Sequence, residues 1–274
     1  MLYLHIIFYN IFIGDFMNED NLIKYYNKFN EDKRLDTKHG QIEFKTAIHY
    51  IDKFIKENDK ILDIGAGTGK YSIYYSNKGF DVTAVELIKH NLKVIEKNNK
   101  DIKCIHGNAI DLSKLSDNYY DITLLFGPMY HLISYEDKLK ALNEAKRVTK
   151  KNGYIFISYC MNEYAVITHG FLDNNIINEL DNKRLNKDYK ITPKEDDLYS
   201  FVRLEDINKL KDDSNLKRIN ILSQDGCAEY IKKCVNKMDN ETLEIFFDYH
   251  LRTCEKPELL GSGRHTLDIL QKID

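Results

Sequence analysis

From Lys60 onward, short apolar runs alternate with longer amphipathic stretches, the pattern of a parallel sheet whose strands are joined by crossover helices. Ile61–Ile64 predicts the first strand. Asp81–Val85, Ile102–His106 and Asp121–Phe126 predict the next three, and the last of these is apolar enough to be buried on both faces. Tyr154–Tyr159, Leu216–Leu222 and Thr266–Leu270 bring the expected count to seven. Between them, helices are expected over Thr68–Lys78, stopped by Gly79, along Ile88, Leu92 and Ile95, and over Glu136–Thr149. Glu163–Leu180, Ala228–Lys237 and Asn240–Cys254 also carry helical spacing.

Ahead of the sheet, Phe44, Ala47, Ile48, Ile51 and Ile55 recur at helical spacing, so residues 17–58 read as a helical cap. Residues 59–160 then form the core of a doubly wound α/β fold with a mostly parallel seven-stranded sheet. Periodicity loosens after Met161, and 161–200 reads as a lid inserted after the fifth strand, with 201–274 completing the sheet.

Composition narrows the class without naming it. The 274 residues are 43% hydrophobic and 30% charged, values of an ordinary globular chain, and the net charge of −3 gives no global attraction to nucleic acid or anionic lipid. The five cysteines form no C-x-x-C pair or Cys/His cluster, so no metal site is expected; they read as reduced, buried thiols of a cytoplasmic protein. Leu2–Ile13 is strongly apolar but shorter than the roughly 20 residues that a spanning helix needs. No basic start or cleavage site makes it a signal, so 1–16 is either an extension ahead of a start at Met17 or a tether to a membrane surface.

The chemistry concentrates where the first predicted strand ends. Leu62-Asp63-Ile64-Gly65-Ala66-Gly67-Thr68-Gly69 places three glycines at the strand-to-helix turn, where open α/β sheets bind ligands. Their spacing is not the G-x-G-x-x-G that cradles a pyrophosphate. Asp63 would repel that group, yet suits a ligand bearing an ammonium and a sulfonium. Glu86 closes the second strand twenty-one positions after Gly65, with Leu87 behind it, and a carboxylate there can accept from both hydroxyls of a ribose. NAD and S-adenosylmethionine both carry that ribose, and Asp63 favours the second.

The segment Leu62–Gly69 resembles the first motif of class I, Rossmann-like S-adenosylmethionine-dependent methyltransferases. The resemblance implies that Gly65, Ala66, Gly67 and Gly69 pack against the methionine part of the cofactor. It makes Glu86 the ribose ligand and His106-Gly107-Asn108-Ala109 the adenine-facing segment, although many members have Asp where Asn108 stands. Phe126-Gly127-Pro128-Met129-Tyr130-His131-Leu132 is similar to a Gly-Pro-x-Tyr-His-Leu motif of a bacterial small-molecule subgroup. Two further stretches, Ala141–Val148 and Glu258–His265, also resemble that subgroup. Tyr25, Tyr26 and Glu43, on the cap, either close over the methyl-donor site, as caps do in the family, or pack.

Methyl transfer from a sulfonium needs alignment and exclusion of water more than it needs a base. His131 is the candidate base and Tyr130 the candidate orienting group; a histidine satisfied by a backbone carbonyl and a packing tyrosine are the plainer alternatives. His169 and His265 are weaker candidates. No Asn/Asp-Pro-Pro-aromatic motif stands where Phe126-Gly127-Pro128-Met129 does, and the mixed-charge run Lys183–Lys194 reads as a solvated loop. The expected function is methylation of a small molecule by a chain that can pair with a second copy. RNA or protein methylation, and a non-catalytic sensor of the cofactor, stay open.

Overall fold

Unbroken runs of Ile, Leu and Val are stable only where helices cover both faces of a sheet, and the central strands here are buried along nearly their whole lengths. The computed structural model describes residues 31–274. Its strands are β1 (Lys60–Ile64), β2 (Asp81–Glu86), β3 (Lys103–His106), β4 (Tyr120–Leu125), β5 (Thr149–Cys160), β6 (Lys217–Ser223) and β7 (His265–Gln271). They pair in the order β3-β2-β1-β4-β5-β7-β6. Only β7 runs antiparallel to its neighbours, β5 and β6. The expected doubly wound, mostly parallel sheet is therefore present.

All seven expected strands are found, with one boundary well off. β5 starts at Thr149 rather than Tyr154, because its first residues are polar and give no apolar signal. They are held by side chains instead: Thr149 Oγ1 lies 2.7 Å from Thr123 Oγ1, and Lys150 Nζ is 2.8 Å from both carboxylate oxygens of Asp121.

Among the described residues, six helices of eight or more residues surround the sheet. They are α1 (Lys38–Ile51), α2 (Lys70–Asn77), α3 (Lys89–Asn98), α4 (Tyr135–Val148), α5 (Leu204–Asp213) and α6 (Asn240–Thr253). Thr37, Ser134 and Asp239 cap α1, α4 and α6 by accepting from the N–H of the third residue on. Ala141, Leu142 and Ala145 of α4 and Ile207 and Leu210 of α5 join one core, and Ala47 and Ile51 of α1 and Tyr75 of α2 join the other.

The insertion leaves and returns at the C-terminal end of β5: Val202 N–H donates to the Cys160 carbonyl, and Asn162 N–H to that of Val202, both at 3.0 Å. The continuous helix expected over Glu163–Leu180 is instead three pieces, Asn162–Ala165, a π-helical Val166–Leu172 and Ile176–Asp181. Asp173-Asn174-Asn175 breaks it, with Asn174 in the left-handed region at φ 58°, which its short amide tolerates. The helix expected over Ala228–Lys237 shrinks to Lys232–Val235, after a turn at Gly226. That short helix leaves Cys234 exposed, and Cys227 ahead of it is exposed too, against the expected burial. Cys160 and Cys254 are buried as expected, and Cys104 is half-buried. Among the described residues, no helix is long and apolar enough to cross a membrane. The apolar stretch at 2–13, the choice of start at Met17, and Tyr25 and Tyr26 lie outside the described residues.

Candidate active site

The glycine turn hangs from β2. Gly65 and Ala66 donate their N–H groups to the Val85 carbonyl at 2.8 and 3.2 Å. Gly65 sits at φ 70°, and a Cβ there would lie 2.5 Å from Pro128 Cδ, so the turn after β1 and the Gly-Pro turn after β4 touch where only glycine fits. Gly67, at φ 56°, is the opposite case: a Cβ there meets nothing within 4 Å. Its N–H donates to Glu86 Oε2 at 2.9 Å, while Glu86 Oε1 accepts from Ile88 N–H at 2.8 Å and Asn91 Nδ2 at 3.3 Å. Burial pushes the Glu86 pKa up, and these donors oppose the rise. Carboxylate oxygens offer about four acceptor positions in all, so three protein donors leave room for an incoming hydroxyl.

Asp63 stands behind the turn rather than on it. It is 2% exposed and accepts from Ser72 Oγ at 2.6 Å, tying β1 to the first turn of α2. Burial raises its pKa to about 6, with the Ser72 bond as the opposing influence. The Leu87 carbonyl accepts from His106 Nε2 at 2.9 Å. After β3, Asn108 folds back on itself, with Oδ1 accepting from Ile110 N–H and its carbonyl from Asp111 N–H, and Ala109 is buried beside it. Phe126 is buried against Tyr71, ring centroids 4.8 Å apart.

Tyr130 and His131 follow in a single turn, and the returning end of the insertion is fastened to them. Ser200 N–H donates to the Tyr130 carbonyl at 2.7 Å, and His131 Nδ1 lies 2.8 Å from the Leu198 carbonyl. A carbonyl only accepts, so Nδ1 carries the hydrogen and Nε2 is the basic nitrogen. Burial lowers the His131 pKa to about 4, which the Leu198 bond only partly resists; the ring is neutral at pH 7. Tyr199 lies over it at 5.1 Å. Lys138, which the sequence did not single out, braces both segments: its ammonium donates to the Leu132 carbonyl and, at 2.8 Å, to Ser200 Oγ.

A second group of charges, also largely missed from sequence, lies at the C-terminal end of β6 and the start of β7. His265 is 2% exposed; its Nδ1 is 2.9 Å from Asp225 Oδ2 and 3.5 Å from Glu43 Oε2. Arg34 grips Glu43 with two bonds, of 2.5 and 3.1 Å. Burial pushes the His265 pKa down, but Glu43, Cys160 and Asp225 outweigh it and raise it to about 10. Glu43 is therefore packed within an ion network, and His265 is an imidazolium rather than a spare base. The cluster borders the site: the rings of His265 and Tyr130 are 6.1 Å apart. The buried Tyr71 hydroxyl has no hydrogen-bond partner among the described residues. His169 is exposed and lies 3.4 Å from Glu179, far out on the insertion. The His265 cluster was unreadable locally, because Asp225 and Glu43 meet His265 only through the fold.

Known proteins resemble this chain over its central part. A family model described as a methyltransferase domain matches residues 62–157. Residues 62–157, about a third of the chain, thus form a methyltransferase domain. A demethylmenaquinone methyltransferase of Paenarthrobacter aurescens is 38% identical over 105 residues, 38% of this chain and 40% of that protein. A ribosomal protein L11 methyltransferase of Thermotoga petrophila is 28% identical over 116 residues, 42% of each. The chain thus spans well under two thirds of the curated relatives it matches. An S-adenosylmethionine-dependent methyltransferase structure from Archaeoglobus fulgidus has the same fold, with TM-score 0.57 at 18% identity, covering 90% of this chain and 100% of that one. The methyltransferase domain spans the glycine turn, Glu86, Asn108 and the Tyr130–His131 turn, and its cofactor is S-adenosylmethionine. The residues fit that cofactor: the space over Gly67 is open, Glu86 keeps acceptor capacity beside it, and no pyrophosphate-type turn competes.

Proposed function

We propose that this protein transfers the methyl group of S-adenosylmethionine to a small-molecule acceptor. The pairing of Gly67 with Glu86, open space above one and spare acceptor capacity on the other, is the observation that carries the cofactor half of this reading. Glu86 takes a ribose hydroxyl; Gly65, Ala66, Gly67 and Gly69 face the methionine part, with the Asp63 charge behind them. Leu87, Asn108 and Ala109 frame the adenine, and Phe126 walls the cleft. Tyr25, assigned to close over the donor, lies outside the described residues.

When bound, the cofactor supplies an electrophilic methyl group on a sulfonium. The chain's own work is to orient the acceptor and to keep water out. His131, neutral with Nε2 as its basic atom, accepts a hydrogen bond from the acceptor and aligns it, and a pKa near 4 makes it a poor store for a proton at pH 7. Tyr130 shapes the same wall beside His265. The near-zero net charge and the lack of a nucleic-acid amine motif favour a small acceptor. The cysteines, all free thiols, fit a cytoplasmic protein, and a homodimer is the assembly to test.

A macromolecular acceptor is the second reading, favoured by the ribosomal-protein methyltransferase among the relatives. Methyl-labelled cofactor incubated with the chain and a panel of amines, phenols and quinols, ribosomal RNA fragments and ribosomal protein separates them. Label in the small-molecule fraction is the expected result. Label confined to RNA or protein overturns the acceptor class, and cofactor binding with no transfer to any class points to a sensor.

A further inference from the structure

A guanidinium presents its Nε and Nη2 hydrogens along one edge, at the spacing of the two oxygens of a carboxylate. Three half-buried arginines of this chain fill that edge from within. Arg147 Nε and Nη2 reach the two carboxylate oxygens of Glu144 at 2.7 and 2.8 Å, and Arg218 holds Asp268 in the same way at the same distances. Arg203 divides the edge between Glu163 Oε1, at 2.6 Å, and the Asp188 carbonyl, at 2.8 Å.

Arg264 differs from these three. It stands immediately ahead of β7, and its carbonyl accepts from Met161 N–H at 2.9 Å, which fixes the backbone where the insertion leaves β5. Its side chain is 26% exposed, close to the 28% of Arg147, yet among the described residues it makes a single hydrogen bond, from Nη1 to Glu229 Oε1 at 3.1 Å. Nε and Nη2 have no partner there, and neither is among the polar atoms sealed from solvent, so the edge is open. Glu229 is shared as well: Lys232 Nζ lies 3.6 Å from its other oxygen, which also accepts from the Tyr164 hydroxyl at 3.4 Å. Around the neighbouring His265, Arg34 is matched by Glu43 and His265 by Asp225. Four cations, Arg34, Lys232, Arg264 and His265, thus share three carboxylates, and the surplus charge lies beside the open edge.

The place of this guanidinium is set from two sides. Glu229 Oε1, to which it is bonded, also lies 3.6 Å from His39 Nε2 on α1, the helix that carries Glu43. His265, the next residue, has its ring 6.1 Å from that of Tyr130, which precedes His131 in the turn after β4. We propose that Arg264 Nε and Nη2 receive a carboxylate carried by the methyl acceptor. This rests on the methyltransferase reading and narrows the acceptor to small organic acids. A carboxylate engages both hydrogens at once and neutralises the surplus charge, whereas an amide offers one oxygen and no charge.

Benzoate and benzamide, alike in size and different in charge, test it on the full chain, with and without S-adenosylhomocysteine. Titrated into protein carrying isotope-labelled arginine, benzoate should shift the Arg264 Nε resonance and bind about tenfold more tightly than benzamide. Arg264→Gln should bring benzoate down to the affinity of benzamide. Arg264→Lys, which keeps the charge and loses the fork, should recover only part of the preference. Both variants should bind S-adenosylhomocysteine as wild type does. Equal affinity of the wild-type chain for the two probes overturns the proposal. So does an unmoved Arg264 resonance at saturation, no binding of either probe, or an undiminished preference in folded Arg264→Gln. If Arg264→Gln does not fold, the two probes and the resonance of the wild-type chain decide alone. A wild-type chain that shows the benzoate shift but binds no S-adenosylhomocysteine would refute the methyltransferase reading and leave the carboxylate subsite in place.

Discussion

The glycine turn and the His265 cluster sit at the same edge of one sheet but are built by different means. Around the turn, Asp63, Gly67, Glu86 and Asn91 come from the consecutive stretch β1 to α3, and most of the donors to Glu86 are backbone N–H groups fixed by local geometry. Around His265, at the start of β7, the partners come from α1 and the turn after β6, with Arg34 ahead of α1 holding Glu43, and nearly every contact is between charged side chains. The first arrangement is specified by a short stretch of sequence. The second exists only once the whole fold has formed, and its strength depends on charge balance in a buried place.

The largest expected effect breaks the second arrangement. Glu43→Gln should lower unfolding stability by about 3 kcal/mol, the low end for a buried pair because Arg34 keeps some contact with solvent. The pH dependence sharpens this. For Glu43, burial pushes the pKa up, but Arg34 and His265 outweigh it and hold it at about 2 instead of 4.5; its contribution is present above pH 4.5 and lost as pH falls toward 2. For His265, raised from 6.5 to about 10, the contribution is complete below pH 6.5 and lost as pH rises through 10. Urea titrations should therefore show the cluster's contribution level between pH 4.5 and 6.5 and falling on both sides, with both slopes reduced in Glu43→Gln. A variant as stable as wild type, with unchanged slopes, would remove the charge-balance account.

The next effect separates positions within the turn. Gly65→Val puts branched carbon against Pro128 and should cost about 3 kcal/mol of stability, whereas Gly67→Ala meets open space and should cost about 1 kcal/mol for its positive φ. For affinity toward S-adenosylhomocysteine, Gly67→Ala should still be impaired in the folded protein. Denaturation curves with the reverse order would contradict the packing described for Pro128.

How much of this was legible beforehand follows the same division. The alternation of apolar runs placed all seven strands because β1, β2 and β4 are buried on both faces and leave no ambiguity of period. It failed at Thr149–Asn152, where strand pairing rests on Thr–Thr and Lys–Asp contacts, and at Asp173–Asn175, where a left-handed Asn ends a helix that periodicity would continue. Glu86 could be singled out from its place at the end of β2, but its bond to Gly67 was not readable. Lys138 reads as an ordinary charged residue of α4, and only the return of the chain at Ser200 turns it into a brace for the segment that carries His131. His131 itself was named as a base; the Leu198 carbonyl favours the plainer alternative for its Nδ1.

The smallest effect tests Asp63. Its pKa is raised from 3.8 to about 6, so its favourable contribution is complete below pH 3.8 and lost as pH rises through 6; the ionised group burdens the fold at pH 8. Asp63→Asn keeps an acceptor for Ser72 and should raise stability at pH 8 by about 1 kcal/mol. If the charge also serves a cationic ligand, the same variant binds S-adenosylmethionine less tightly while its stability rises. Loss of stability would mean that the carboxylate has a partner beyond Ser72.

Calorimetric titration of S-adenosylhomocysteine into wild type and Glu86→Ala tests the central claim most directly. Glu86→Ala, shown to be folded by its thermal transition, should lose about a hundredfold in affinity, as expected for one charge-assisted bond to ribose and a loosened Gly67. Wild-type affinity in the folded variant would contradict the assignment of this carboxylate, and with it the site.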